Sequence, residues 1–189
     1  GRVMNKVRSL GQEDNTIVFY IADNGGPTAS TTSHNGPLRG FKMTTFEGGP
    51  RVPYIAQWKG KIPAGKTYDL PVMNLDVLPT ILAAARIAPP AAMQGRDLAP
   101  LYLDAQPPAW RSEFLYEHAM LTSRDFIPAS EALVTREWKY ILWPDWGVEQ
   151  LFDLAHDPRE ERDLSRDPAQ SERLAAMRAR SRDLAASLR

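Results

Sequence analysis

The stretch TIVFYIADNGG, residues 16–26, decides the fold class of this chain. Residues 16–22 form a continuous apolar, β-branched and aromatic run. A strand that is apolar on both faces is typical of a parallel sheet covered by helices. Asp23 and Asn24 follow at the carboxyl end of that strand, which is where open α/β sheets bind ligands. The stretch therefore predicts an α/β fold with polar groups at a ligand-binding edge.

The residues on either side of this strand predict a helix before it and a loop after it. Val3, Val7 and Leu10 recur at helical spacing, and Gly11 favours the end of that helix. Residues 25–50 are rich in Gly, Ser, Thr and Pro and predict a long loop. A loop of this length within a compact domain is usually functional or disordered.

The next segments add a strand and a helix. Residues 52–58 predict a second strand, with Pro53 near its start, where a missing N–H is tolerated. Asn74 or Asp76 is expected to cap a helix that reaches about Ala85, with Pro79 in its first turn. The first part of the chain is thus expected to belong to a doubly wound mixed sheet flanked by helices.

From Phe114 onward the pattern changes to short alternating segments separated by turn residues, which predicts a small antiparallel sheet. Its strands are expected at residues 114–118, 131–135, 139–143 and 151–153, with a tight hairpin at 135–138. Asp167 and Pro168 have the form of a helix start. A closing amphipathic helix is predicted from Leu174, Met177, Leu184 and Leu188. We expect two subdomains that part near residue 105, at 1–105 and 106–189.

The composition is that of an ordinary globular protein. Hydrophobic residues make up 43% and charged residues 24% of the 189 residues, which is in the normal range. Lys+Arg and Asp+Glu both total 23, so the basic excess of a nucleic-acid-binding surface is missing. The absence of cysteine excludes disulfides, thiolate metal sites and a cysteine nucleophile. No apolar run approaches the roughly 20 residues of a membrane-spanning helix.

Asp23, Asn24 and Lys42 are the candidate functional residues. A carboxylate beside an amide oxygen suits Ca²⁺ or Mg²⁺, which prefer oxygen ligands, and Lys42 would hold an anion near such a metal. Two ligands do not make a calcium site, since Ca²⁺ takes roughly six to eight. Taken alone, Asn-Gly is a turn signal, so this dipeptide by itself favours a tight turn or a helix cap.

Ordered motifs along nearly the whole chain resemble the sulfatase family, part of the alkaline-phosphatase-like superfamily. Within that family, the motifs most resemble those of arylsulfatases and amino-sugar 6-sulfatases. The motifs that carry the resemblance are NTIV (15–18), DNGG (23–26), LRGFK (38–42), EGG (47–49), RVP (51–53), WKGKIPAG (58–65), LDVLPT (75–80), LFDL (151–154) and DP (157–158).

The resemblance implies a set of site residues. In the family, the Asp-Asn pair supplies two ligands of a Ca²⁺, sometimes Mg²⁺, that holds the sulfate oxygens, and the matching residues are Asp23 and Asn24. The lysine of the family's LRGxK-like segment contacts the sulfate group, so Lys42 is the expected catalytic and substrate-binding residue. Fixed positive charge on the sulfate oxygens is what sulfuryl transfer needs. Glu47 to Arg51 are expected to support the return of the loop into a strand.

The family's nucleophile has no counterpart in this sequence. It is a formylglycine made from Cys or Ser in a Cys/Ser-x-Pro-x-Arg motif, and this chain has no Cys and no Ser followed two residues later by Pro. We therefore expect a C-terminal fragment of a sulfatase, inactive alone, whose partner is the missing N-terminal half. Because Gly1 lies within a predicted helix, we expect that it is not the natural start. The expected ligand is a sulfated small molecule or glycan, and the resemblance favours a periplasmic or extracellular location.

Three histidines remain as weaker candidates. His34 lies in the long loop before Lys42 and is as consistent with a solvated loop residue as with a substrate contact. His118 ends a predicted strand in a segment that resembles amino-sugar 6-sulfatases, where a substrate contact is the less favoured of the two readings. His156 precedes a turn and is expected to be solvated.

Two other readings stay open. One is a phosphate- or phosphonate-ester hydrolase of the same superfamily; those relatives often have His in place of the Asn, so Asn24 favours sulfate. The other is a non-catalytic binding or assembly module from a truncated gene. The missing nucleophile supports that reading, whereas the intact Asp23, Asn24 and Lys42 oppose it.

Overall fold

The architecture of the chain comes from a computed structural model, which describes residues 1–28, 30–103, 109–119, 123, 125 and 127–188. These residues form two compact units, each of which is discontinuous in sequence. Unit 1 comprises Gly1–Asp23 and Pro53–Arg111. Unit 2 comprises Asn24–Val52 and Ser112–Arg189. The long loop predicted at residues 25–50 therefore belongs with the second unit.

Unit 1 carries the predicted first helix, both predicted strands and the predicted helix after them. The antiparallel register places Tyr20 opposite Ile55. Among the described residues, the strand within the apolar run 16–22 has an antiparallel partner, whereas such a run is typical of a parallel sheet. A mixed sheet contains both kinds of pairing. The elements of the unit are α1 (Arg2–Ser9), β1 (Val18–Ile21), β2 (Tyr54–Gln57), α2 (Val77–Ala84) and α3 (Ala99–Leu103).

The Asp76 carboxylate fixes the start of α2 and is fully buried. It accepts hydrogen bonds from the backbone amides of Met73 and Arg96, both at 2.8 Å. It also accepts two hydrogen bonds from the Arg111 guanidinium, at 2.5 and 2.7 Å. One carboxylate thus joins three separate segments of unit 1. α2 ends before Arg86, whose φ of 59° is the left-handed conformation that glycine usually supplies after a helix.

Unit 2 is built on a four-stranded antiparallel sheet in the order β3-β4-β5-β6. The Thr135 hydroxyl accepts a hydrogen bond from the Trp138 amide at 2.9 Å and closes the tight β4–β5 hairpin. The closing helix begins after Asp167, whose carboxylate accepts a hydrogen bond from the Ala169 amide at 3.0 Å. The elements are β3 (Glu113–His118), β4 (Ser130–Thr135), β5 (Trp138–Trp143), β6 (Val148–Asp153) and α4 (Ser171–Ser187).

The two faces of this sheet are covered by different layers. On one face, α4 packs through Met177 against a buried cluster of Leu133, Tyr140 and Leu151. On the other face, Phe46 packs against a buried cluster of Ala132, Val134, Ile141 and Phe152. Because Phe46 comes from Asn24–Val52, that segment forms the layer opposite α4.

The predicted fold class is confirmed: the chain is a mixed α/β protein with a four-stranded antiparallel sheet and a C-terminal helix. The predicted parting of the subdomains near residue 105 falls within residues 104–108, outside the described part of the chain. The domain assignment 1–105 and 106–189 stays a prediction. None of the described helices is long and apolar enough to cross a membrane.

Candidate active-site segment

The segment Asn24–Val52 carries most of the candidate residues, and its described residues contain no helix or strand. Its two limbs are joined by backbone hydrogen bonds. The Gly25 amide donates to the Gly49 carbonyl at 2.8 Å, and the Gly48 amide donates to the Arg39 carbonyl at 2.7 Å. A Cβ at Gly25 would overlap the carbonyl oxygen of Gly48. Glycine is therefore needed where the two limbs cross.

The Asn35 side chain holds the tip of the segment together. Its Oδ1 accepts a hydrogen bond from the Gly26 amide at 2.8 Å, and its Nδ2 donates to the carbonyls of Gly26 and Gly40, both at 3.1 Å. The Gly26 carbonyl also accepts a hydrogen bond from the Lys42 amide at 3.4 Å. Asn35 thus links the residues that follow Asn24 to those that precede Lys42.

Asp23 and Asn24 present oxygen atoms suited to a hard cation. Asp23 is exposed and Asn24 is half-buried. Asn24 Nδ2 donates to the Gly25 carbonyl at 2.9 Å, so the described residues leave its Oδ1 without a hydrogen-bond partner. This donor chemistry fits Ca²⁺ or Mg²⁺. The described part of the chain holds no cluster of three or more His, Asp or Glu side chains arranged for a metal.

Lys42 is half-buried, and no carboxylate among the described residues forms an ion pair with it. Its neighbour Met43 has a φ of 75°, a left-handed conformation that is costly for a residue with a side chain. Such strain persists only where the surrounding structure imposes it, and it clusters at functional sites. A cation that forms no ion pair within the described part of the chain, next to a strained residue, is suited to hold an anionic ligand.

The three histidines differ in their surroundings. His34 is exposed, and its Nδ1 accepts a hydrogen bond from the Gly36 amide at 3.0 Å. His118 is half-buried at the end of β3, and its Nδ1 is buried without a hydrogen-bond partner. His156 is exposed, with its Nδ1 3.0 Å from a carboxylate oxygen of Asp153. Of the three, only His118 has a buried ring nitrogen that lacks a hydrogen-bond partner among the described residues.

The family of the chain follows from its match to a family model. Residues 41–187 match the model described as "N-sulphoglucosamine sulphohydrolase, C-terminal". The chain belongs to the sulfatase family. Two sulfatases illustrate the likeness in sequence. N-acetylgalactosamine-6-sulfatase of Canis lupus familiaris is 39% identical over 56% of this chain and 21% of its own length. Steryl-sulfatase of Rattus norvegicus is 31% identical over 87% of this chain and 34% of its own length.

Solved structures show the same fold. The structure of BT4656 in complex with its substrate D-glucosamine-2-N,6-O-disulfate superposes with a TM-score of 0.84 at 24% identity, over 97% of this chain and 36% of that one. The phosphonate monoester hydrolase of Agrobacterium radiobacter superposes with a TM-score of 0.80 at 19% identity, over 100% of this chain and 38% of that one. This sulfatase chain thus spans between about a fifth and two fifths of the proteins it matches.

The residues that hold the segment of this sulfatase chain in place carry little or no signal in the sequence. Asn35 stands before a glycine and was covered by the prediction of a loop. Lys139 gave a signal, since it is a charged residue within the apolar strand WKYILW. Glu160 gave none, because it lies in a polar run and its burial comes from partners distant in sequence. Glu47 was expected to support the loop, and its amide donates to Glu160 Oε2 at 2.7 Å.

Proposed function

We propose that this chain is the C-terminal part of a calcium-dependent sulfatase that hydrolyses sulfate esters of sugars or aryl alcohols. The observation that carries the proposal is the ammonium of Lys42, which forms no ion pair among the described residues, on the same segment as the Asn24 oxygen, with Asp23 directly before it. Membership of the sulfatase family supports the reaction class.

Each candidate residue has a distinct role in this proposal. Asp23 and Asn24 would hold the metal through their side-chain oxygens. A bound Ca²⁺ would supply positive charge to the sulfate oxygens. The Lys42 ammonium would donate to a sulfate oxygen and stabilise the negative charge that develops during transfer. Its half-buried position strengthens this interaction, because charges attract more strongly where water is partly excluded. His118, half-buried at the end of β3, is a further candidate substrate contact.

The nucleophile has to come from the part of the protein that precedes this chain in its relatives. The surface of unit 1 supports such a partner. Tyr20 and Ile55, opposite each other in the β1–β2 pair, are 68% and 57% exposed. A two-stranded sheet alone is marginally stable in water. Other large apolar side chains exposed in unit 1 include Val3, Leu10, Leu75, Leu78, Ile81 and Ile87. We infer that the N-terminal half covers this surface and that the chain alone is inactive.

A selectivity assay on the full-length protein tests this proposal. Turnover of 4-nitrophenyl sulfate is compared with turnover of 4-nitrophenyl phosphate, with and without added Ca²⁺. The proposal predicts a preference for the sulfate ester, lost on chelation and restored by Ca²⁺. A preference for the phosphate ester would instead support the phosphate- or phosphonate-hydrolase reading, whose structural relatives share this fold. No turnover of either ester by a protein that binds sulfate would support the binding module.

A further inference from the structure

The strongest unassigned feature of unit 2 is a buried cluster of three charged side chains. Lys139 and Glu160 are fully buried, and Glu47 is 6% exposed. Lys139 Nζ lies 3.0 Å from Glu47 Oε1 and 2.9 Å from Glu160 Oε1. The cluster lies on the sheet face opposite α4, because Lys139 is two residues before Ile141 on β5 and so shares its face, and it pairs with Val134 and Phe152 of the same face.

Such a cluster is an inefficient way to stabilise a core. Removing two carboxylates and an ammonium from water is costly, and apolar residues of similar volume often stabilise a core as well or better. Burial raises the pKa of Glu160, against the opposing influence of Lys139. Where such groups are retained, one attested role is to specify a unique arrangement of the chain. The arrangement that these contacts specify is the seating of Asn24–Val52 on the sheet.

Glu160 binds the segment Asn24–Val52 at two points. Besides the side-chain contact to Lys139, Glu160 Oε2 accepts a hydrogen bond from the Glu47 amide at 2.7 Å. The Glu160 carbonyl accepts a hydrogen bond from Arg39 at 2.6 Å, and the Arg39 guanidinium lies 4.0 Å from the Phe46 ring centre. Both limbs of the segment are thereby tied to the cluster.

The same contacts continue from the cluster to the candidate residues. Glu47 immediately precedes Gly48 and Gly49, which exchange backbone hydrogen bonds with Arg39 and Gly25. Gly25 is covalently bonded to Asn24. On the other limb, Arg39 is followed by Gly40, which lies two residues before Lys42. The Gly40 carbonyl accepts a hydrogen bond from the Asn35 side chain. A short, hydrogen-bonded path therefore leads from Lys139 to Asn24 and to Lys42.

We propose that Lys139, acting through Glu47 and Glu160, is a positioning residue of the sulfatase site. It fixes the seat of Asn24–Val52 on the four-stranded sheet and so sets the positions of the Lys42 ammonium and the Asn24 oxygen. This inference rests on the proposed function for its kinetic consequence, whereas the seating itself is independent of the reaction.

Two substitutions test the role. Lys139→Met removes the shared cation and leaves two carboxylates facing each other. Glu160→Gln keeps the shape and the acceptor for the Glu47 amide but lowers the charge. The matched control is Arg178→Met, which removes a part-buried ion pair in which Arg178 Nε lies 2.6 Å from Glu149 Oε1. This pair joins α4 to the opposite face of the same sheet. Control and test variants both weaken unit 2, but only the test variants touch the seat of the segment.

The first readout is hydrogen exchange of the full-length protein, followed on peptides that cover residues 22–52 and 130–143. Lys139→Met is expected to raise exchange in 22–52 by about tenfold or more while the β4–β5 peptide keeps its protection, since segments open locally with their own free energies. Glu160→Gln is expected to do the same to a smaller extent. Equal loss in both peptides, as expected for Arg178→Met, would overturn the proposal.

The second readout is kinetic and separates this inference from the proposed function. At a temperature where every variant is folded, Lys139→Met should lower kcat on the order of a hundredfold, because small misplacements of reacting groups have effects of that size. Arg178→Met should leave kcat within about twofold. If the wild-type protein hydrolyses no sulfate ester, the proposed function fails while the exchange result still decides the seating. Normal kcat in Lys139→Met, in an active enzyme, would refute the positioning role.

Discussion

The buried pair of Asp76 and Arg111 makes the stability of unit 1 open to a quantitative test. The perturbation is Arg111→Met, which preserves the apolar part of the side chain and removes the guanidinium. Arg111 is 8% exposed and Asp76 is fully buried. The substitution therefore removes the guanidinium partner of a fully buried carboxylate.

The expected loss follows from what Asp76 keeps. Breaking a buried ion pair by removing one partner costs about 3–5 kcal/mol. Asp76 retains its hydrogen bonds from the Met73 and Arg96 amides, so the lower end of that range applies. The Arg111 guanidinium also lies 5.0 Å from the Trp110 ring centre, and such a cation–π contact contributes about 0.5–1 kcal/mol. The expected destabilisation is about 3–4 kcal/mol.

The assay is native-state hydrogen exchange of the full-length protein, read on a peptide that covers residues 73–85. The expected loss corresponds to exchange faster by a factor of several hundred, since about 1.4 kcal/mol is tenfold. Arg96→Met is the matched control, because the guanidinium of the exposed Arg96 lies 5.9 Å from the same Trp110 ring centre. The substitution keeps the hydrogen bond that the Arg96 backbone amide donates to the Asp76 carboxylate. Asp76→Asn combined with Arg111→Met should restore part of the loss. Equal effects of Arg111→Met and Arg96→Met would refute the reasoning.

Three further predictions concern other parts of the chain. The hydrogen bond from Arg178 lowers the pKa of Glu149 below its ordinary value of 4.5. The contribution of this carboxylate to the free energy of unfolding is therefore complete above that value and is lost as pH falls through the lowered pKa. Glu149→Gln should flatten the acid limb of a plot of unfolding free energy against pH. An unchanged acid limb would contradict this prediction. Gly25→Ala should destabilise by about 1–3 kcal/mol and lower turnover, because its Cβ meets a backbone carbonyl, whereas Gly1→Ala, in open space, should change neither in the same thermal-melt and turnover assays. Ile55→Ser should reduce self-association of the isolated chain in sedimentation velocity, because it removes an exposed apolar side chain. It should lower the melting temperature of the full-length protein, where this side chain is covered. An unchanged or higher melting temperature of the full-length protein would argue against a covered surface.

The parts of the fold that depend on neighbouring residues were predictable from the sequence. The β4–β5 hairpin was evident because two alternating apolar segments flank residues 135–138, and the structure closes that turn with the Thr135 hydroxyl. The start of α4 was evident because Asp167 and Pro168 supply a cap and a suitable first residue, and Asp167 does accept the Ala169 amide. Local chemistry specifies such features without any long-range partner.

The features that depend on distant partners were not predictable. α3 (Ala99–Leu103) is too short to show helical periodicity. The seating of Asn24–Val52 on the sheet of unit 2 rests on Glu160, more than a hundred residues away from Glu47. Nothing in the sequence around Glu160 indicates that it is buried, and the lone lysine in β5 indicates only that a partner exists.

The candidate site divides along the same line. Asp23, Asn24 and Lys42 were found from motifs, and the structure adds that Lys42 lacks an internal carboxylate among the described residues and that Asn35 braces the segment that carries it. Whether the metal binds between these oxygens and ligands from the N-terminal half stays a prediction. The family motifs supply the candidate residues, whose roles stay a prediction, and the structure shows what holds the segment that carries Asn24 and Lys42.

The most direct test of the account is the turnover of a sulfate ester by the full-length protein with Lys42→Ala. The proposed role predicts a loss of kcat/KM on the order of a hundredfold or more, since a fixed donor to developing negative charge contributes that much. Lys66→Ala, at an exposed lysine of unit 1, is the control and should behave as wild type. Near-normal turnover by Lys42→Ala, with the control unchanged, would remove Lys42 from the site and contradict the central claim.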